Sequence, residues 1–89
     1  MIKKAYTIYD TATNVYSDPF MMHSDEEAKR AFIDTASDPN NQISRHPSDF
    51  MLMSCGEYEN SSGLFNSWEP FKVLGAWEIQ DDEASPTTQ

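Results

Sequence analysis

Between Phe50 and Tyr58 the chain puts apolar side chains at both alternating sets of positions, Phe50 and Leu52 on one and Met51, Met53 and Cys55 on the other. A strand that is apolar on both faces belongs at the centre of a covered sheet. The segment is therefore read as an interior strand, and the remaining segments are read for what can flank and cover it.

Residues 2–9 set Ile2, Tyr6 and Ile8 against Lys3, Thr7 and Tyr9, a period of two rich in aromatic and β-branched types, and are read as a strand. Asp10 to Asn14 is a turn, and Val15 to Met22 a second extended segment that Pro19 either confines to the sheet edge or splits. These two make a hairpin. Ser24-Asp25-Glu26-Glu27 has the spacing of a capping box: Ser24 accepts from the amide of Glu27, and Glu27 reaches back to the amide of Ser24. Behind it, Ala28, Ala31, Phe32 and Thr35 form one helical stripe with Phe32 as its anchor, ended by Asp38-Pro39. Residues 40–48 are polar loop with room for one helical turn. Glu59 to Gly63 is a turn, Leu64 to Trp68 a return strand, and Lys72 to Ile79 a further strand.

The order β-β-α-β-β-β predicts an α+β domain over 1–79, with a small antiparallel sheet and one helix packed on one face, and a polar acidic tail over 80–89. By the size scaling, a chain of 89 residues buries about 64 per cent of its unfolded surface, enough for one small core. Two Trp, four Tyr and five Phe favour a folded chain. A sheet covered on one face leaves aromatics on the other, and a homodimer is the ordinary way to bury them.

Fifteen acidic residues against six basic ones give a net charge of −9 and a pI near 4.3, which opposes generic DNA binding. The single Cys55 excludes an intramolecular disulfide and a cysteine-based zinc cluster. A mid-strand thiol among methionines is a small core residue and not a nucleophile. His23 and His46 lack a second ligand at zinc spacing, and the three separated glycines make no phosphate loop. Asp25, Glu26 and Glu27 complement the amides of a first helical turn. No cofactor and no catalytic group is expected. The chain start has no apolar segment of signal-peptide type and no run approaches a membrane span, so a cytoplasmic protein without membrane contact is expected.

One constellation suits nucleic acid. Phe65, Trp68, Phe71 and Trp77 surround Lys72, and Lys3, Lys4 and Arg45 join them if the fold brings them near. Aromatic side chains stack single-stranded bases; the same rings equally fill a core and a dimer interface. Asp81, Asp82 and Glu83 are either a solvated tail or a phosphate-like row for a basic site on another protein.

Tyr9-Asp10, Pro19-Phe20, Ala28 with Arg30 and Phe32, Asp38-Pro39, His46-Pro47-Ser48-Asp49-Phe50, Leu52, Gly56-Glu57-Tyr58 and Gly63 occur in an order that carries a family signal. Over roughly residues 5 to 70 the chain resembles the small nonstructural protein of gokushoviruses, single-stranded DNA phages of the microvirus group, with Tyr58 where that family more often has Phe. The resemblance implies a non-enzymatic protein of the infected bacterial cytoplasm. Its expected role is genome replication and the switch to packaging, through the phage replication initiator, a host replication protein or the procapsid. Two alternatives stand beside it: a direct single-stranded DNA-binding protein using the C-terminal aromatics, weak and salt-sensitive, and an acidic DNA mimic inhibiting a host protein.

Overall fold

The computed structural model describes residues 1–79. Five strands form one antiparallel sheet: β1 (Ile2–Asp10), β2 (Val15–Tyr16), β3 (Phe20–Met22), β4 (Phe50–Glu59) and β5 (Leu64–Gly75). Two helices, α1 (Asp25–Ala36) and α2 (Gln42–Arg45), fall between β3 and β4, and single 3-10 turns occupy Pro47–Asp49 and Ala76–Glu78. The spatial order is β2-β1-β4-β5, with β3 also pairing with β1, so β4 has a strand on either side, as its two apolar faces require.

Asn14 takes a left-handed φ of 60° in the turn that closes β1 onto β2. Pro19 splits the second extended segment, and both pieces remain on the β1 edge. Between them Ser17 substitutes for strand pairing: its amide donates to the Ile8 carbonyl and its hydroxyl accepts the Ile8 amide.

Ser24 caps α1 by accepting the Glu27 amide at 3.2 Å, but Glu27 differs from the expected box. Its carboxylate accepts the amide of His23 at 2.7 Å, one residue further back. Ala28 and Phe32 are buried on Tyr6, Leu52 and Phe50, Ile43 of α2 closes the same cluster, and Ile8, Phe20, Met22 and Leu74 pack at its margin. Tyr6 is fully buried, and its hydroxyl donates to the Asp25 carboxylate.

The C-terminal part corrects the sequence reading. The two expected strands, Leu64 to Trp68 and Lys72 to Ile79, are one strand, β5, and Trp77 leaves the sheet in the last 3-10 turn. Glu69-Pro70 reads as a break because Pro70 has no amide to give a ladder. The pairing solves this with a bulge: Gly56 faces Ser67 and Ser54 faces Phe71, so Trp68, Glu69 and Pro70 stand opposite Cys55 alone. Cys55 is itself an extra residue against β1, where Ala5 faces Gly56 and Tyr6 faces Ser54.

Candidate nucleic-acid interface on the uncovered sheet face

The pairing register sorts the sheet into two faces. Side chains alternate along a strand and directly paired residues share a face. Tyr6 and Ile8 lie under the helices, so Lys3, Ala5, Thr7 and Tyr9 point the other way. The residues paired with these, directly or through β4, are Tyr58, Gly56, Met53 and Met51 on β4, Phe65, Ser67, Lys72 and Gly75 on β5, Tyr16 on β2 and Met21 on β3. Ala5, Thr7 and Met53 are buried yet stand outside the cluster under α1 and α2, which places them on this opposite, open face.

Two aromatic rows cross the open face. At one end Tyr16, Tyr9, Met51 and Gly75 are successive partners across four strands. The Tyr9 and Tyr16 rings pack at 4.5 Å between centroids, and the Tyr9 hydroxyl is anchored on Asn14 at 2.8 Å. At the other end Lys3, Tyr58 and Phe65 are partners, with the Tyr58 and Phe65 rings 5.7 Å apart. Lys3 and Tyr9 stand six positions apart on β1, so the rows are separated by about 20 Å at 3.3 Å per strand residue. Between them stand Ala5, Thr7, Gly56 and Met53, all buried, with half-buried Met21 and exposed Ser67.

Trp77 completes the first row by a different route. A Cβ on Gly75 would lie 2.5 Å from the Trp77 ring, so only glycine lets the indole settle against the strand there. The Lys72 ammonium lies 5.5 Å from the same ring and 2.9 Å from the Glu78 carboxylate. Glu78 also accepts the Gly75 amide at 2.8 Å. That amide, and then Lys72, hold the Glu78 carboxyl below the ordinary glutamate range. Trp77 is 46% exposed, Phe65 56% and Tyr16 46%, so the rings are displayed and not filled in.

Charge follows the same division. The paired strand positions of the open face hold Lys3 and Lys72 and no carboxylate, whereas the helix-facing positions of the same strands hold Asp10, Glu57 and Glu59 with Lys4; exposed Glu69 sits unpaired in the β5 bulge. In a chain of net charge −9, this face is the exception. Glu78 at its corner is the one carboxylate paired with a face lysine among the described residues.

The residues expected to act together are therefore divided. Lys72, Trp77 and Lys3 share the open face. Trp68 and Phe71 stack at 6.5 Å on the other side, where the Trp68 indole donates to Ser54, the partner of both Tyr6 and Phe71. Lys4 pairs with Glu57 on that side, and Arg45 ends α2, also on the helix side. Asp81, Asp82 and Glu83 lie outside the described residues. Tyr9, Tyr16 and Tyr58 were not among the contact residues expected from sequence, and the alternation Lys3, Ala5, Thr7, Tyr9 is the signal that points to their face.

Two other features have little to offer chemically. A cleft of about 380 Å³ lies at the helix side, with Ile8, Val15, Asn41, Ile43 and Phe50 in its lining. Burial pushes the half-buried Cys55 thiol up, away from nucleophilic reactivity. Among the described residues no group of His, Cys, Asp and Glu is placed to hold a metal ion, and no helix is long and apolar enough to cross a membrane.

No curated protein and no solved structure matches this chain. A protein family does: residues 3–79, which take in both helices and all of the sheet after Ile2, match the family described as phage ORF5 protein, and the chain belongs to it.

Proposed function

We propose that this phage protein works by binding and not by bond chemistry, at the single-stranded stage of a microvirus-type genome, where synthesis is switched towards strands for packaging. The observation that carries the reading is the open face itself. A −9 chain keeps carboxylates off the paired strand positions of one sheet face and displays rings and two lysines there. Such a surface suits the recognition of an extended polymer or a partner protein, and its groups are not those of an acid-base pair or an activated nucleophile. Membership of a phage family and the gokushovirus resemblance support the proposed setting, the cytoplasm of an infected bacterium.

A second reading keeps the setting and changes the contact. The acids exposed around the helix side, Glu26, Glu27, Asp34 and Asp38, offer a surface for a basic patch on a replication initiator, a host replication protein or the procapsid. The two readings predict different sensitive residues.

The test is a phage carrying Phe65→Ala and Trp77→Ala in this gene, with single-stranded and double-stranded viral DNA quantified through infection. The expected result is a lower single-stranded share at unchanged protein level. An unchanged ratio would reject the role of the open face, and the same defect from Glu26→Lys with Asp34→Lys alone would move the function to the acidic side.

A further inference from the structure

On the reading that the open face is the working surface, we infer that its occupant is single-stranded DNA, laid along the sheet from the Tyr9/Tyr16/Trp77 row to the Tyr58/Phe65 row. The spacing suits it. About 20 Å between rows corresponds to about six nucleotides at a stacked rise of 3.4 Å each, within the site sizes of single-strand binding folds. Rings at both ends offer π-faces to bases, which a duplex keeps turned inward. Between the rows Ala5, Thr7 and Gly56 are buried and Ser67 is exposed, so intervening nucleotides run over the side chains that shield these residues and do not rest on them.

The charges sort in the same direction. Lys3 stands in one aromatic row and Lys72 beside the other, both able to reach a phosphate path running between the rows. Glu78 is the counterweight: its carboxylate holds Lys72 over Trp77 and also competes with phosphate for it. The face therefore binds weakly and is tuned by one carboxylate. A second copy of the chain packed face to face is the other way to cover these rings, but it sets lysine-bearing surfaces together with no carboxylate at the paired strand positions to meet them.

The experiment titrates the full chain into a fluorescent oligothymidylate of about 16 nucleotides, an upper-end site size, at several salt concentrations, with a duplex of equal length as control. Binding is expected to prefer the single strand, with a log–log salt slope of about −1.4 for two neutralised phosphates. Phe65→Ala and Trp77→Ala should each weaken it about tenfold, the loss of one stacked base, while Trp68→Phe leaves it unchanged. Glu78→Gln keeps an oxygen for the Gly75 amide and removes the charge, so it should tighten binding and steepen the salt slope. A merely structural Glu78 would give the opposite. Each variant retains its far-ultraviolet circular dichroism, since all four positions are on the surface or half-buried.

Absence of binding at low salt overturns this inference. If the Phe65/Trp77 phage still shows its genome defect, the open face serves a protein partner and the proposed function survives. If sedimentation instead shows a dimer that Phe65→Ala and Trp77→Ala dissociate, the second copy is the occupant. Duplex binding equal to single-strand binding would also reject it.

Discussion

The two faces of this sheet are built from the same strands and obey opposite rules. Under α1 and α2, the rings and aliphatic chains of Tyr6, Phe32, Phe50 and Leu52 are buried to within 6% of full exclusion. On the open face the rings of Tyr16, Phe65 and Trp77 stay about half exposed, and what is buried there is small or flexible: Ala5, Thr7 and Met53. The difference teaches that aromatic content alone does not report core. Beneath α1 and α2 the helix face excludes water to hold the fold, although Phe71 beyond them is exposed; the open face holds its rings in pairs and against a glycine, where packing orients them without hiding them.

The sharpest way to break that comparison is to truncate one ring on each face. Phe32→Ala should cost about 3–5 kcal/mol, since the void it leaves between α1 and the sheet cannot collapse on both sides. Phe65→Ala, at 56% exposure, should cost under about 1 kcal/mol. Urea unfolding followed by circular dichroism checks both; equal losses would mean that the open face is part of the core.

How much of this was legible in the sequence depended on distance along the chain. The capped helix with its Ala28–Phe32 stripe and the interior strand from Phe50 were readable because their signals are local. The end of the chain was not, because parity fails there. Counting by twos puts Phe65, Phe71 and Trp77 on one face, yet the bulge opposite Cys55 turns Phe71 to the helix side, and a second shift, which leaves Val73 unpaired between Lys72 and Leu74, returns Gly75 and the Trp77 ring packed on it to the open one. The partnership of Lys3 with Tyr58 joins residues 55 positions apart, so half of one aromatic row was invisible until the register was known.

A smaller effect tests how polar groups are tolerated on the closed face. Tyr6→Phe removes the hydroxyl that donates to Asp25 and should cost about 1.5–3 kcal/mol, the range for a bond to a charged partner. Burial, and then the bond to Asp25, push the Tyr6 phenol well above its ordinary value. A raised value means the contribution is complete below the ordinary tyrosine range near 10 and is lost as pH rises through the folded value. The wild type should therefore lose stability in strong alkali relative to Tyr6→Phe, with Ser24→Ala, a cap loss of about 1 kcal/mol, as a pH-independent control. Parallel alkaline profiles for wild type and Tyr6→Phe would place the phenol in water.

The mildest test compares the two tryptophans, which sit on opposite faces and answer to different neighbours. Trp68 donates its indole N–H to Ser54, a group that does not titrate. Trp77 lies beside Lys72, whose position depends on the Glu78 carboxylate, itself held below the ordinary glutamate range by the Gly75 amide and Lys72. Because the folded value is depressed, the clamp is intact above the ordinary glutamate range and is lost as pH falls through the folded value. In a Trp68→Phe background, Trp77 emission should change in that acid limb, and Glu78→Gln should abolish the change. In a Trp77→Phe background, Trp68 emission should stay level until the fold itself melts. If instead both indoles moved together, the open-face corner would not be a separate electrostatic unit, and the division between the faces would be one of exposure alone.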